Sequence, residues 1–219
     1  MGLQDYKQLV GNSAAICTMA HMLSGTLVCW NIYLKGTSDG SDPMPFIGGI
    51  AMGFLMLQYS FILKDPAMLS VNIFGLATSI IYVVVFYIYS SKKNEISTTI
   101  VKMLSVVGTL MIYAKMENPV VLEFRWGILT TLALFMLIAA PLANLGQVIR
   151  TKSTEVLPFP MIAMGTLVSA LWLLYGVIID NSFIILQNVV GIGLYIIQLS
   201  LFVIYPSKPA SDKPEKKIQ

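Results

Sequence analysis

Trp172 and Asn188 flank a polar turn, Asp180-Asn181-Ser182, that separates two apolar runs. Trp172 lies eight residues before Asp180, and Asn188 six residues after Ser182. At a helical rise of 1.5 Å per residue, both would sit about 9–12 Å from that turn. If the runs are neighbouring antiparallel helices, the two side chains lie at nearly one depth. An indole face then meets an amide, which both donates and accepts hydrogen bonds. The pattern recurs earlier in the chain: Tyr59 matches Tyr175, Asn72 matches Asn188 and Gly75 matches Gly191 at an offset of 116 residues, which sets Met56 opposite Trp172.

The elements that must hold these residues are apolar helices. Of 219 residues 56% are hydrophobic and 11% charged, with a mean hydropathy of +0.76. Soluble domains carry about 25% charge, so the chain reads as an integral membrane protein. Seven apolar segments can be drawn, at 9–34, 45–63, 68–90, 97–115, 124–148, 159–179 and 183–205. Each approaches the roughly 20 residues that a spanning helix needs. The breaks between them are short, which puts any function inside the bundle. The opening residues lack a basic region followed by a cleavage site and read as running directly into the first helix. Cys17 and Cys29 lie twelve residues apart, about 18 Å along one helix, and cannot pair. They read as small core residues, with no metal site and no cofactor implied.

Seven helices put the termini on opposite sides of the membrane. Segments on the carboxy-terminal side hold ten basic residues (Lys35, Lys92, Lys93, Lys102, Arg150, Lys152, Lys208, Lys213, Lys216 and Lys217) against four on the other side (Lys7, Lys64, Lys115 and Arg125). That bias favours an outside amino terminus and a cytosolic carboxy terminus. Internal symmetry organises the rest. Pro43-Met44-Pro45-Phe46 matches Pro158-Phe159-Pro160-Met161 at an offset of 115, one residue short of the later matches. The expected fold is therefore all-α, with seven transmembrane helices arranged 3+1+3. One triple-helix repeat covers 1–92, a connector helix 93–118, a second repeat 119–206 and a disordered cytosolic tail 207–219. An odd connector gives the repeats the same orientation, and parallel repeats pack about an axis along the membrane normal with a substrate site between them.

The chain resembles the SWEET sugar transporters. The resemblance is carried by Ala140-Pro141-Leu142, Val148-Ile149-Arg150-Thr151-Lys152-Ser153, Leu157-Pro158-Phe159, Trp172-x-x-Tyr175-Gly176, Gln187-Asn188-x-x-Gly191 and Gln198. The first repeat matches more weakly, through Pro43 to Phe46, Tyr59 and Val71 to Gly75. The resemblance implies facilitative, bidirectional movement of a mono- or disaccharide by alternating access, as a homo-oligomer in the plasma membrane or Golgi. It implies a substrate site at Asn72 and Asn188, with Met56 and Trp172 as further pocket positions. It also implies helix-bending proline hinges, at Pro141 and Pro158 in the second repeat and at Pro43 or Pro45 in the first. Counting eleven back from Thr37, as Pro141 stands to Lys152, gives Thr26 where the family often has proline, with Gly25 beside it.

The residue types suit that cargo. Amides supply both hydrogen-bonding senses to sugar hydroxyls, and an indole offers a platform for the C–H face. An amide in hydrocarbon is costly unless satisfied, so both asparagines must face protein or water. The eleven Asp and Glu residues all fall in loops, termini or helix ends, and His21 is the one histidine. A proton-coupled carrier usually needs an ionisable relay within the membrane, so facilitated diffusion is expected. No phosphate loop, zinc-protease signature or nucleophile elbow marks an enzyme, and no nucleic-acid partner is expected. The alternatives are a proton-coupled amino-acid exporter of the PQ-loop type, a seven-helix receptor and a membrane scaffold.

Overall fold

The structure is a computed structural model that describes residues 2–137, 139–155 and 157–205; the expected disordered tail lies outside them. A 3-10 turn, Leu3–Tyr6, leads into α1 (Lys7–Met22) and α2 (Gly25–Lys35). There follow α3 (Met44–Leu63), α4 (Pro66–Tyr89), α5 (Lys93–Met116), α6 (Pro119–Leu137), α7 (Ala139–Thr151), α8 (Phe159–Ile178) and α9 (Ser182–Ile204). No strand occurs among the described residues. With Leu3–Lys35 taken as one stretch, seven helices are long and apolar enough to cross a membrane. The first departs from the single uninterrupted segment expected at 9–34, because regular helix lapses at Leu23-Ser24.

Local chemistry explains the helix ends, and it repeats. Asp65 caps α4 by accepting from the Met68 N–H at 2.9 Å. Asn181 caps α9 by accepting from Phe183 and Ile184 at 3.1 and 3.0 Å. Such caps satisfy amide groups that a helix leaves without partners. The preceding turns use left-handed residues at matching positions: Lys64 (φ 52°) and Asp180 (φ 55°). Gly36 (φ 69°) and Lys152 (φ 52°) match in the same way after the first helix of each half. Ser38 donates through Oγ to the Phe86 carbonyl at 3.2 Å and through its N–H to Tyr89 at 3.0 Å. Thr154, its counterpart, donates to the Tyr205 carbonyl at 3.0 Å.

The helices pack with the same symmetry. In the first half α4 lies between α1–α2 and α3; in the second, α9 packs on both α8 and α6. Across the halves α1 packs on α8, and α3 packs on α6. Exchanging the halves converts one of these contacts into the other, which is a two-fold relation about an axis along the helices. The connector α5 packs on α3.

Burial is not symmetric between the two ends of the bundle. Near the amino-terminal face, one shared core joins both halves through Leu55, Tyr59, Met68, Trp126, Tyr175 and Ile184. Trp126 is fully buried there and donates its indole N–H to the Leu55 carbonyl at 2.9 Å. At the opposite, carboxy-terminal face each half has its own cluster. Ile47, Ile50 and Val83 form one together with Ile96 of the connector α5, and Leu145, Val148, Leu157, Ile162 and Leu201 the other. The halves are thus welded at one end and separate at the other.

The turn between α5 and α6 is held by Glu117. It accepts from the Tyr113 hydroxyl at 2.5 Å, from the Asn118 N–H at 2.9 Å and from Arg125. Those donors, Tyr113 first, hold its carboxyl below the usual carboxylate range.

Candidate functional site

Asn72, Asn188, Met56 and Trp172 all border one cavity of about 170 Å³ between the halves. Thr18, Met22, Met68, Leu134 and Gln187 complete much of its wall. Asn72 spends its amide on the protein: Nδ2 donates to Ser60 Oγ and to the Met68 carbonyl, both at 2.9 Å. Its carbonyl oxygen is the atom left to accept from a ligand. Asn188 donates through Nδ2 to the Ile184 carbonyl at 2.8 Å, which leaves one N–H and the carbonyl oxygen for the cavity. The paired asparagines therefore offer unequal hydrogen-bonding sets despite their matching positions.

Trp172 is fixed on both sides. Its ring stands edge-on to Tyr175, with centroids 5.5 Å apart and planes at 87°. Its indole N–H donates to Thr18 Oγ1 at 2.8 Å, and Thr18 in turn donates to the Ala14 carbonyl at 2.6 Å. Thr18 was not singled out from the sequence. Its counterpart in the second half is Leu134, so the repeat gives no hint of it. The asymmetry is consistent across the interface: threonine faces tryptophan on one side, leucine and methionine occupy the matching positions on the other.

A second, neighbouring space of about 380 Å³ lies toward the carboxy-terminal face. It shares Leu134, Gln187 and Asn188 with the first and reaches Leu157, Pro158, Tyr195 and Gln198. His21 and Ser169 also border it. Gln187 is anchored through Nε2 to Thr131 Oγ1 at 2.8 Å.

Toward the amino-terminal face the way is shut by two cross-half hydrogen-bonded pairs. The Tyr175 hydroxyl donates to Asp65 Oδ2 at 2.6 Å. Asn181 Nδ2 donates to the Tyr59 hydroxyl at 2.9 Å. Tyr59 matches Tyr175, and Asp65 matches Asn181, so each tyrosine reaches the cap of the other half's third helix. Gln4 adds a clasp, donating from Nε2 to the Ile178 carbonyl at 2.5 Å. Asp65 falls at a helix end, as its position in the sequence indicates, but it is buried, only 5% exposed.

The prolines occupy different settings. Pro43 is the residue before α3 and Pro158 the residue before α8; Pro45 lies in the first turn of α3. The first N–H groups of a helix have no intrahelical partner, so none of these three removes a helical hydrogen bond. Any bending at them occurs where α3 and α8 begin, not within those helices. Pro141 lies in α7.

A family described as sugar efflux transporter for intercellular exchange matches residues 8–94 and 124–210. Those two matches take in both halves of the bundle and most of the chain. The chain belongs to the SWEET family. It is 32% identical to sugar transporter SWEET1 of Drosophila pseudoobscura pseudoobscura over 97% of this chain and 95% of that protein. It is 31% identical to sugar transporter SWEET1 of Caenorhabditis elegans, over 99% of this chain and 71% of that one. Bidirectional sugar transporter SWEET9 of Arabidopsis thaliana is 30% identical over 94% of this chain and 81% of its own length. A 3.7 Å structure of a eukaryotic SWEET transporter superposes with a TM-score of 0.86 at 23% identity, covering 94% of this chain and 99% of that one. The SWEET fold therefore extends over nearly the whole chain.

Proposed function

We propose that this SWEET protein carries a neutral sugar across its membrane by facilitated, bidirectional alternating access. Its two triple-helix repeats, 1–92 and 119–206, move about the connector 93–118. The sugar binds between Asn72 and Asn188, with its C–H face on Trp172 and Met56 opposite. The observation that carries this reading is the single cavity bordered by all four residues, with the tyrosine pairs at one end and a second space sharing Leu134, Gln187 and Asn188 at the other. In this reading the structure has the inward-facing form, with the amino terminus outside and the carboxy terminus in the cytosol, in keeping with the ten-to-four distribution of basic residues. Affinity is expected to be weak, since two amides and one ring give few contacts.

The test is uptake of labelled glucose, sucrose and trehalose into proteoliposomes. Saturable uptake of at least one of them, equal with and without an imposed pH gradient, is expected. Uptake that rises steeply with the gradient would instead point to His21, the histidine bordering the second space, and to proton coupling.

Thr18 offers a sharper check on the site. Thr18→Val keeps the side chain's shape but removes the acceptor for the Trp172 indole, so the ring loses its fixed tilt. One lost hydrogen bond predicts a rise in KM of about three- to tenfold with little change in the maximal rate. Thr18→Ser should stay near wild type. Equal damage in both variants would mean that Thr18 acts through packing.

A further inference from the structure

The first helix breaks without a proline. α1 ends at Met22 and α2 begins at Gly25, and the backbone bonds across the gap are the tighter three-residue kind: Ser24 to His21 at 3.1 Å, Thr26 to Leu23 at 2.9 Å and Leu27 to Ser24 at 3.1 Å. In an unbroken helix the Thr26 N–H would bond the Met22 carbonyl. That carbonyl instead accepts from the hydroxyl of Tyr82, on α4, at 3.2 Å. The Tyr82 proton being spent there, Thr26 Oγ1 donates to the Tyr82 oxygen across 2.9 Å. A carbonyl released inside a membrane bundle needs a partner, and Tyr82 is that partner.

The ring is built into the gap. A Cβ on Gly25 would lie 2.5 Å from Tyr82 Cε2, so only glycine lets the ring in. Phe46 of α3 holds it from the other side, with centroids 5.3 Å apart and planes at 67°. Tyr82 is 6% exposed.

The second half meets the same position with other chemistry. With Gly36 matched to Lys152, the counterpart of Gly25 is Pro141, which has no N–H to offer the carbonyl of Leu137 four residues back. The counterpart of Tyr82 is Gln198. Proline with glutamine on one side stands against glycine with tyrosine on the other. The break also lies where a moving part is needed: Met22 borders the candidate cavity, and α2 beyond it packs on α4 at the carboxy-terminal face.

We infer that Tyr82 is a positioning residue for transport: it holds the first helix open at Met22–Thr26 and does there, through a side-chain hydrogen bond, what Pro141 does by lacking an N–H. α2 turns about this point as the carboxy-terminal face opens and closes. This rests on the transport reading above. Without the hydroxyl, the Thr26 N–H can close onto Met22 and the helix heals.

The experiment compares wild type, Tyr82→Phe, Thr26→Pro and the double variant, each checked for folding by size-exclusion chromatography and thermal unfolding. Amide exchange over residues 22–27 is read first, because it does not depend on transport. Tyr82→Phe should slow exchange there, and the double variant, with no Thr26 N–H to close the turn, should not. In proteoliposomes loaded by a glucose gradient, Tyr82→Phe should lower the maximal flux about tenfold, the scale of one hydrogen bond, with KM little changed. The double variant should return to within about threefold of wild type, and Thr26→Pro alone should stay there too. Unchanged exchange in Tyr82→Phe, or a folded double variant no better than Tyr82→Phe, overturns the inference. If Tyr82→Phe does not fold, inactivity of folded Thr26→Pro overturns it instead, and normal flux supports it. A wild type that carries no sugar defeats the transport reading alone, since the exchange result still decides the role of Tyr82.

Discussion

Asn188→Ala should raise KM for sugar about 10- to 100-fold while leaving the protein folded, because its free N–H and carbonyl oxygen offer two hydrogen bonds of about 0.5–1.5 kcal/mol each. The substitution is clean. The protein partner of Asn188 is the Ile184 carbonyl, one turn back in its own helix, so nothing buried is stranded. Asn72→Ala is a less clean test. Asn72 also ties α4 to Ser60 on α3, so affinity and stability should fall together. A purified Asn188→Ala protein with the wild-type KM and thermal midpoint would remove Asn188 from the site while leaving the fold intact.

Tyr175→Phe should be the most destabilising single change at the closed end. Asp65 is buried and accepts from two donors, the Tyr175 hydroxyl and the Met68 N–H. Removing the hydroxyl leaves a buried carboxylate with one fewer partner, at a cost of about 1–3 kcal/mol. Tyr59→Phe should cost less. Its partner Asn181 is neutral and keeps the Phe183 and Ile184 N–H groups. The two changes should also act on access. With either pair broken the halves part more readily at the amino-terminal face. A cysteine placed at Met68, which borders the cavity, should then react faster with an impermeant thiol reagent applied from that face. Tyr175→Phe with unaltered melting and unaltered labelling would mean that the pair is incidental to closure.

The helices were legible because hydropathy and punctuation agree. The segment expected at 45–63 is α3, Met44–Leu63, and that at 183–205 is α9, Ser182–Ile204. The break in the first helix was not legible, because a run such as Leu23 to Cys29 has the same hydropathy whether its backbone is regular or not. It depends on a phenol fifty-six residues away, joined to Thr26 only by the fold. The four candidate site residues were found through their repeat positions, and they share one cavity. Thr18 was invisible to the same method because Leu134 breaks the repeat. The tyrosine pairs lay between these cases. Tyr59 with Tyr175, and Asp65 with Asn181, are both matched in the sequence, but matching says which positions correspond, not that each tyrosine crosses to the opposite half. Asp65 sits among polar break residues, and only packing reveals that it is buried. The prolines at 43, 45 and 158 carried a hinge expectation drawn from resemblance; their place at helix starts follows from where α3 and α8 begin.

The most direct test of the central claim is counterflow in proteoliposomes. Vesicles are preloaded with unlabelled sugar and diluted into a trace of the labelled form, with no pH gradient. A carrier that exposes one site alternately to each side must accumulate label transiently above its equilibrium level, because exit is occupied by unlabelled sugar. The account predicts that overshoot for wild type at the same height when a pH gradient is imposed, and a much smaller one for Asn188→Ala. Label that rises to equilibrium without overshoot, or an overshoot that requires the proton gradient, would contradict it.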